Sequence, residues 1–305
     1  MKWVYPDYYP LFKCIADQCG HNCCIGWEVD IDYSSMRKYI LMKGELGEKL
    51  RRNIEGTVLN GRFVMREDGR CPFLNRQNLC ELILEKSEKS LCQICRDHPR
   101  FRLRLTDREE IGLGLCCEAA CRLILDCKEP VGLILEDNGR SKAVLSDREQ
   151  GWIRQREALL QIAQDRRMPI LKRMELIMER DGDIALPDLP FRQWVEALLQ
   201  MERMDGQWTV LLEKRKKSRV FAGIDDVKQE QLLVYFLYRY YLNAHKNGDF
   251  CFGVTAFCVL STQLIVLLCE KPEDIYEVAR LYSAEIEYSD VNAETLLSAL
   301  HDYNS

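Results

Sequence analysis

An α+β fold is predicted, in which a small cysteine-rich α+β unit over residues 1–140 precedes an all-helical unit over 141–305. Three observations carry this. Of the 15 cysteines, 12 fall within the first 127 residues and three in the remaining 178. Charge shifts along the chain, with 21 Lys+Arg against 20 Asp+Glu in residues 1–130 and 22 against 28 thereafter. Short segments bounded by turn residues fill the first part, whereas apolar residues at three- and four-residue steps fill the second. The 305 residues are 47% apolar and 30% charged, so the chain can bury a core and is not disordered in bulk.

Taken in order, Ser34 or Ser35 suits the cap of a helix beginning at Met36, with interruptions at Gly44 and Gly47. Arg62 to Arg66 reads as a strand entering a turn at Asp68-Gly69. Phe101 to Leu105 alternates with Arg100, Arg102 and Arg104, placing three guanidiniums on one face of a strand. Such a face suits a carboxylate or phosphate, or merely keeps an edge strand soluble. Cys116 to Leu125 has helical spacing. The apolar run Val131–Leu135 and the turn at Asn138-Gly139-Arg140-Ser141 mark the expected boundary. Helices follow over Trp152–Arg180, Phe191–Met204, Val227–Ala244 and Ile275–Ala284, punctuated by Pro187, Pro190 and Pro272.

The cysteines point to a metal. The opening Met1–Asp7 has neither the apolar core nor the cleavage site of a secretory leader, so a reducing, cytoplasmic setting is expected. The doublets Cys23-Cys24 and Cys116-Cys117 are too close to close on themselves as disulfides. In Cys14-x4-Cys19-x3-Cys23-Cys24 and Cys92-x2-Cys95, the spacings of two or three residues let two thiolates turn in and share one centre. Soft thiolates select zinc or an iron–sulfur cluster over hard cations. The spacing departs both from paired zinc-type Cys-x2-Cys motifs and from the Cys-x3-Cys-x2-Cys triplet of radical S-adenosylmethionine enzymes.

The run Phe12-Lys13-Cys14 through Cys19 to Cys23-Cys24-Ile25-Gly26-Trp27 resembles the opening of the flagellin lysine-N-methylases. So do Cys71-Pro72-Phe73-Leu74 with Leu79-Cys80, Cys95-Arg96-Asp97-His98-Pro99-Arg100, and Leu115-Cys116-Cys117-Glu118-Ala119-Ala120. The zinc- or iron-chelating YkgJ-like proteins share part of this layout. The resemblance spans residues 12–122 and implies S-adenosylmethionine-dependent methylation of lysine ε-amines on flagellin, with a [4Fe-4S] cluster, or zinc instead of or beside it. The family pattern falls on Cys14, Cys19, Cys23, Cys24, Cys71, Cys80, Cys95 and Cys117. Cys92, Cys116, Cys121 and Cys127 are extra to it. Two other readings stand beside this one: a zinc- or iron-chelating interaction module, and a redox iron–sulfur protein.

Remaining features are weaker. Cys121, Cys127, Cys251, Cys258 and Cys269 lie among apolar residues and read as small core hydrophobes. Glu28, Asp30, Asp97 and Glu118 neighbour framework cysteines, and none is singled out as a base. Gly112-Leu113-Gly114 lacks the third glycine of a dinucleotide loop, which argues against a doubly wound methyltransferase domain. Lys214-Arg215-Lys216-Lys217 suits a wet helix end, or an anionic surface. The uncharged stretch Phe250–Cys269 better suits a central helix than a membrane span, although peripheral membrane association stays open. A net charge of -5 disfavours nucleic acid as a partner. Oligomeric state is not legible.

Overall fold

The computed structural model describes residues 2–137, 139, 143–182, 186–218, 220–248 and 253–303. The chain divides into two compact units, one of residues 1–12 with 101–305, the other of residues 13–100. Of the boundary expected at Asn138–Ser141, residues Asn138, Arg140 and Ser141 lie outside the described residues. The compact units part elsewhere because strands far apart in sequence close one sheet. Strand β1 (Lys2–Pro6) belongs to the larger unit, and the cysteine-rich unit is inserted after it in the chain.

The smaller unit runs through β2 (Asp30–Ile31), α1 (Tyr33–Leu41), α2 (Glu45–Arg52), β3 (Ile54–Glu55), β4 (Gly61–Phe63), α3 (Glu81–Glu85) and α4 (Gln93–Asp97). Its sheet has the order β2-β4-β3. Asp32, rather than Ser34 or Ser35, caps α1: its carboxylate accepts from the Ser35 N–H at 3.0 Å. The first helix ends at Met42 and Gly44 caps the start of the second, as expected of that glycine, whereas Gly47 lies buried inside α2 and does not interrupt it. The core gathers Met36, Tyr39, Leu50, Phe63, Phe73 and Leu82, with Cys71 and Cys92 inside it.

Back in the larger unit, β5 (Arg100–Arg104), β6 (Arg108–Leu113), α5 (Glu118–Leu125) and β7 (Leu133–Asp137) follow. The sheet order is β5-β6-β1-β7, with β1 parallel to β6 and antiparallel to β7. The run expected to end a first domain is therefore an edge strand of this sheet. Gly112 serves packing rather than a nucleotide: a Cβ there would stand 2.2 Å from the Phe101 ring. On the edge strand β5, Arg102 pairs with Glu109 at 3.2 Å.

The helices are α6 (Asp147–Ala163), α7 (Ile170–Asp181), α8 (Phe191–Gln200), α9 (Gly206–Lys217), α10 (Asp226–Asn247), α11 (Val254–Leu268), α12 (Ile275–Tyr282) and α13 (Asp290–Tyr303). The single helix expected over Trp152–Arg180 is two. It breaks before Pro169, whose ring cannot continue the ladder, and the Arg173 guanidinium donates to the freed Ala163 carbonyl at 2.9 Å. Tyr238 on α10 fastens helix to sheet, its hydroxyl lying 2.9 Å from the Val4 carbonyl and 3.1 Å from that of Ile111. The fully buried Glu230 is held by Arg173 at 2.7 Å and Arg166 at 2.9 Å. Glu110 and Arg156 form a second buried pair at 2.9 Å. Within Phe250–Cys269, residues 250–252 lie outside the described residues, and α11 is a core helix. Among the described residues, no helix is long and apolar enough to cross a membrane.

Candidate thiol-rich metal centre

Seven of the eight predicted ligands, all but Cys117, lie in the unit of residues 13–100. Backbone hydrogen bonds draw their loops together. The Cys71 N–H donates to the Cys24 carbonyl at 2.8 Å, and Ile25 bridges Arg70. Gly26, at φ +79, makes that approach possible: its N–H donates to the Gly69 carbonyl at 2.9 Å. A tight hairpin then returns the chain from Cys71 to Cys80. It is closed by the Leu74–Cys80 bridge and by Asn75, whose side chain accepts from the Gln77 and Leu79 N–H groups, both at 2.9 Å. Asp32 ties the last pair in, since its second carboxylate oxygen accepts from the Gln93 N–H at 2.8 Å, beside Cys92.

The result is a group of interacting thiols: Cys23, Cys24, Cys71, Cys80, Cys92 and Cys95. The Cys24 thiol donates to Cys23 and the Cys95 thiol donates to Cys92. Each acceptor's pKa is thereby lowered and each donor's is raised, against or with the effect of burial. Cys24 and Cys95 are further raised by the charges of neighbouring thiolates, Cys71 among them. Burial pushes Cys71 up to about 11. Burial also raises Cys80, although the N–H groups of Leu82 and Ile83 at the start of α3 face its sulfur and oppose the rise without closing a short cap. Several thiols cannot all ionise side by side unless a cation joins them.

Cys92 is one of four cysteines extra to the family pattern, yet it is fully buried in this group. The Cys-x2-Cys spacing already pairs it with Cys95. Cys14 is exposed and accepts the Ala16 N–H at 3.4 Å, while the Cys19 thiol donates to the His21 carbonyl at 3.3 Å. Cys117 stands in the other unit as the N-cap of α5. Cys121, Cys258 and Cys269 are buried core thiols as expected, Cys127 is half-buried, and Cys251 lies outside the described residues.

In donor type the six sulfurs fit a soft metal or an iron–sulfur centre. Among the described residues, however, no three His, Cys, Asp or Glu side chains stand in an arrangement that could hold a metal ion. Four of the six are hydrogen-bonded in two pairs, Cys23 with Cys24 and Cys92 with Cys95. Of the carboxylates weighed as bases, Glu28 faces Arg62 at 3.8 Å and Glu118 faces Arg122 at 3.7 Å, so neither is set apart for proton transfer.

Asp32 offers a test of how the unit is fastened. Burial opposes its ionised form, but hydrogen bonds from Ser34, Ser35 and the Gln93 N–H outweigh it and hold the pKa well below the carboxylate range. Stability from this group is therefore fully present above the unfolded value near ~3.9 and is lost as pH falls through the depressed folded value. Asp32→Ala should cost about 1–3 kcal/mol, from a lost cap and an unpaired N–H beside Cys92. Hydrogen exchange at Ser35 and Gln93 reads the loss, and unchanged protection there would refute it.

The larger unit contains a buried polar network that sequence reasoning missed. Beyond α12 the chain makes one π-turn, Ser283–Glu287, a geometry often found at functional positions. Its Glu287 is fully buried and meets Arg239 at 3.1 Å. The guanidinium lies 5.0–6.0 Å from the ring centres of Phe101, Tyr288, Tyr240 and Tyr235. Tyr235 donates to Glu287 at 2.8 Å and accepts the Leu115 N–H at 3.3 Å, and Tyr288 donates to the Cys116 sulfur, whose pKa burial pushes up to about 12. The network thus grips the Leu115-Cys116-Cys117 turn. No periodicity signals it, because its members come from β5, α10 and the π-turn.

Over 42% of its length the chain is similar to curated proteins. The flagellar biosynthetic protein FliU of Salmonella muenchen is 25% identical over 141 residues, which is 79% of that protein. Lysine-N-methylases of Salmonella typhimurium and Salmonella choleraesuis are each 22% identical over 134 residues. The match spans 33% of each methylase, so about a third of their length. The resemblance to the flagellin lysine-N-methylases is borne out to that extent. No family model matches the chain, and no solved structure matches it.

Proposed function

We propose that this chain is a protein-lysine N-methyltransferase that takes its methyl group from S-adenosylmethionine and acts on flagellin. The observation that carries the reading is the similarity to two lysine-N-methylases and to a flagellar biosynthetic protein. The gathered thiols support its metal part: Cys23, Cys24, Cys71, Cys80, Cys92 and Cys95 would hold an iron–sulfur cluster or zinc. Bound there, the metal would neutralise the thiolates and lock the loops that carry them.

The residues themselves set conditions on that binding. Cys24 and Cys95 carry the protons of the two S–H···S bonds, so loading the centre must release protons and be favoured as pH rises. Methyl transfer passes a methyl group from the donor's sulfonium to a neutral ε-amine, leaving the thioether, while the amine's extra proton goes to a base or to water. Only an amine held clear of other cations loses that proton near neutral pH.

The test is one preparation and two readouts. Anaerobically purified full-length protein should contain iron with matching sulfide, or zinc. With S-adenosylmethionine bearing a labelled methyl group, it should add label to lysines of flagellin, read as methyl increments by peptide mass spectrometry. Label in the Cys24→Ser/Cys95→Ser variant equal to wild type would remove the centre from the mechanism. No label with metal-replete protein would overturn the methyltransferase reading and favour a chelating interaction module.

A further inference from the structure

In the larger unit, α8, the end of α9 and the segment after it enclose a cleft of about 780 Å³, a size typical of small-molecule sites. Its walls combine two kinds of chemistry. Phe191 and Phe221 meet edge to face at 5.2 Å. Between them lies the buried Arg215 guanidinium, 5.1 Å from one ring centre and 5.4 Å from the other. Arg192, Lys216 and Lys217 complete the basic side, with Glu213 as the carboxylate in the lining.

The charge balance there is not closed. Glu270 is shared by Lys214 and Arg215, and Glu196 by Arg192 and Lys216. Among the described residues, five cations, Lys217 included, thus face three carboxylates, counting Glu213. Lys217 has no ion-pair partner among the described residues, and the Nε of Arg215 has no hydrogen-bond acceptor. The tetrad Lys214–Lys217 is therefore not simply a solvated helix end: Arg215 turns inward between two aromatic rings, while Lys216 and Lys217 line the opening.

We propose that this cleft binds a small anion carrying a planar ring, of the nucleotide class. The ring packs against Phe191 and Phe221, and phosphate oxygens meet Arg192, Lys216 and Lys217. The surplus of positive charge selects against a cationic sulfonium ligand such as S-adenosylmethionine, so the site is separate from any methyl-donor site. It would give the protein a second small-molecule input.

Isothermal titration calorimetry on the full chain tests this with ATP, adenosine, inorganic tripolyphosphate and S-adenosylmethionine. ATP should bind, adenosine and tripolyphosphate should each bind at least tenfold more weakly, and S-adenosylmethionine should not displace ATP. Lys217→Glu and Arg192→Glu change exposed side chains and should each weaken ATP at least tenfold, with the melting temperature unchanged. No ATP binding at millimolar concentration, affinity indifferent to both variants, tripolyphosphate equal to ATP, or displacement by S-adenosylmethionine would each overturn the proposal.

Discussion

Cys24→Ser/Cys95→Ser is expected to abolish metal retention and to leave the unit of residues 13–100 open to proteolysis. Serine keeps a hydroxyl donor beside Cys23 and Cys92, so the substitution chiefly removes two of the six soft sulfurs a metal would need. If a metal joins the six sulfurs, its binding energy is part of the folding energy of the loops that carry them. Structural zinc in small finger peptides supplies about 10–16 kcal/mol. The share here is smaller because Phe63, Phe73 and Leu50 form a core without it. Metal content below a tenth of wild type, with new tryptic cuts confined to residues 13–100, is the expected result. Cys258→Ala removes a thiol buried in the other unit and should leave metal content unchanged. Equal metal in the double variant and wild type would sink the assignment of the centre to these thiols.

Glu287→Gln should strongly destabilise the larger unit. It leaves the Arg239 guanidinium, enclosed by four aromatic rings, without its carboxylate. Breaking a buried pair from one side costs about 3–5 kcal/mol. For a domain of this size the melting temperature should fall by roughly 10 °C. Replacing both charges, as Glu287→Gln with Arg239→Met, should recover most of that loss, since no buried charge is then unpaired. A melting temperature within a degree or two of wild type for the single variant would show that the pair is hydrated and not buried as described. Because Tyr235 links Glu287 to the Leu115 N–H, the single variant should also lose hydrogen-exchange protection at Leu115.

Different parts of the molecule were legible to different degrees. Apolar spacing foretold α6 to α8, α10 and α12, with α10 and α12 starting within a residue of expectation, but it gave no signal for α9 or α13. Periodicity could not see the break before Pro169, where an Arg173 guanidinium satisfies the freed Ala163 carbonyl from outside the ladder. Caps were misjudged locally: two serines in a row looked like the start of α1, but Asp32 also accepts from Gln93, 61 residues away, and that second bond is invisible in a local window. The basic tetrad read as one charge run and proved to be two environments.

By itself, the sequence determined that the chain mixes strands and helices, that its thiols are concentrated at the front, and that four cysteine-bearing stretches match a family in order. Those properties are written in composition and short spacing, which reflect local chemistry. Only the tertiary structure decided that Cys92 joins Cys95 in the thiol group while Cys117 sits in a different unit. It alone decided that residues 2–6 and 133–137 share a sheet, and that Glu287 underlies the Cys116-Cys117 turn. Each of these is a contact between distant segments. Such contacts arise because buried polar groups and strand edges must find partners wherever the chain can supply them.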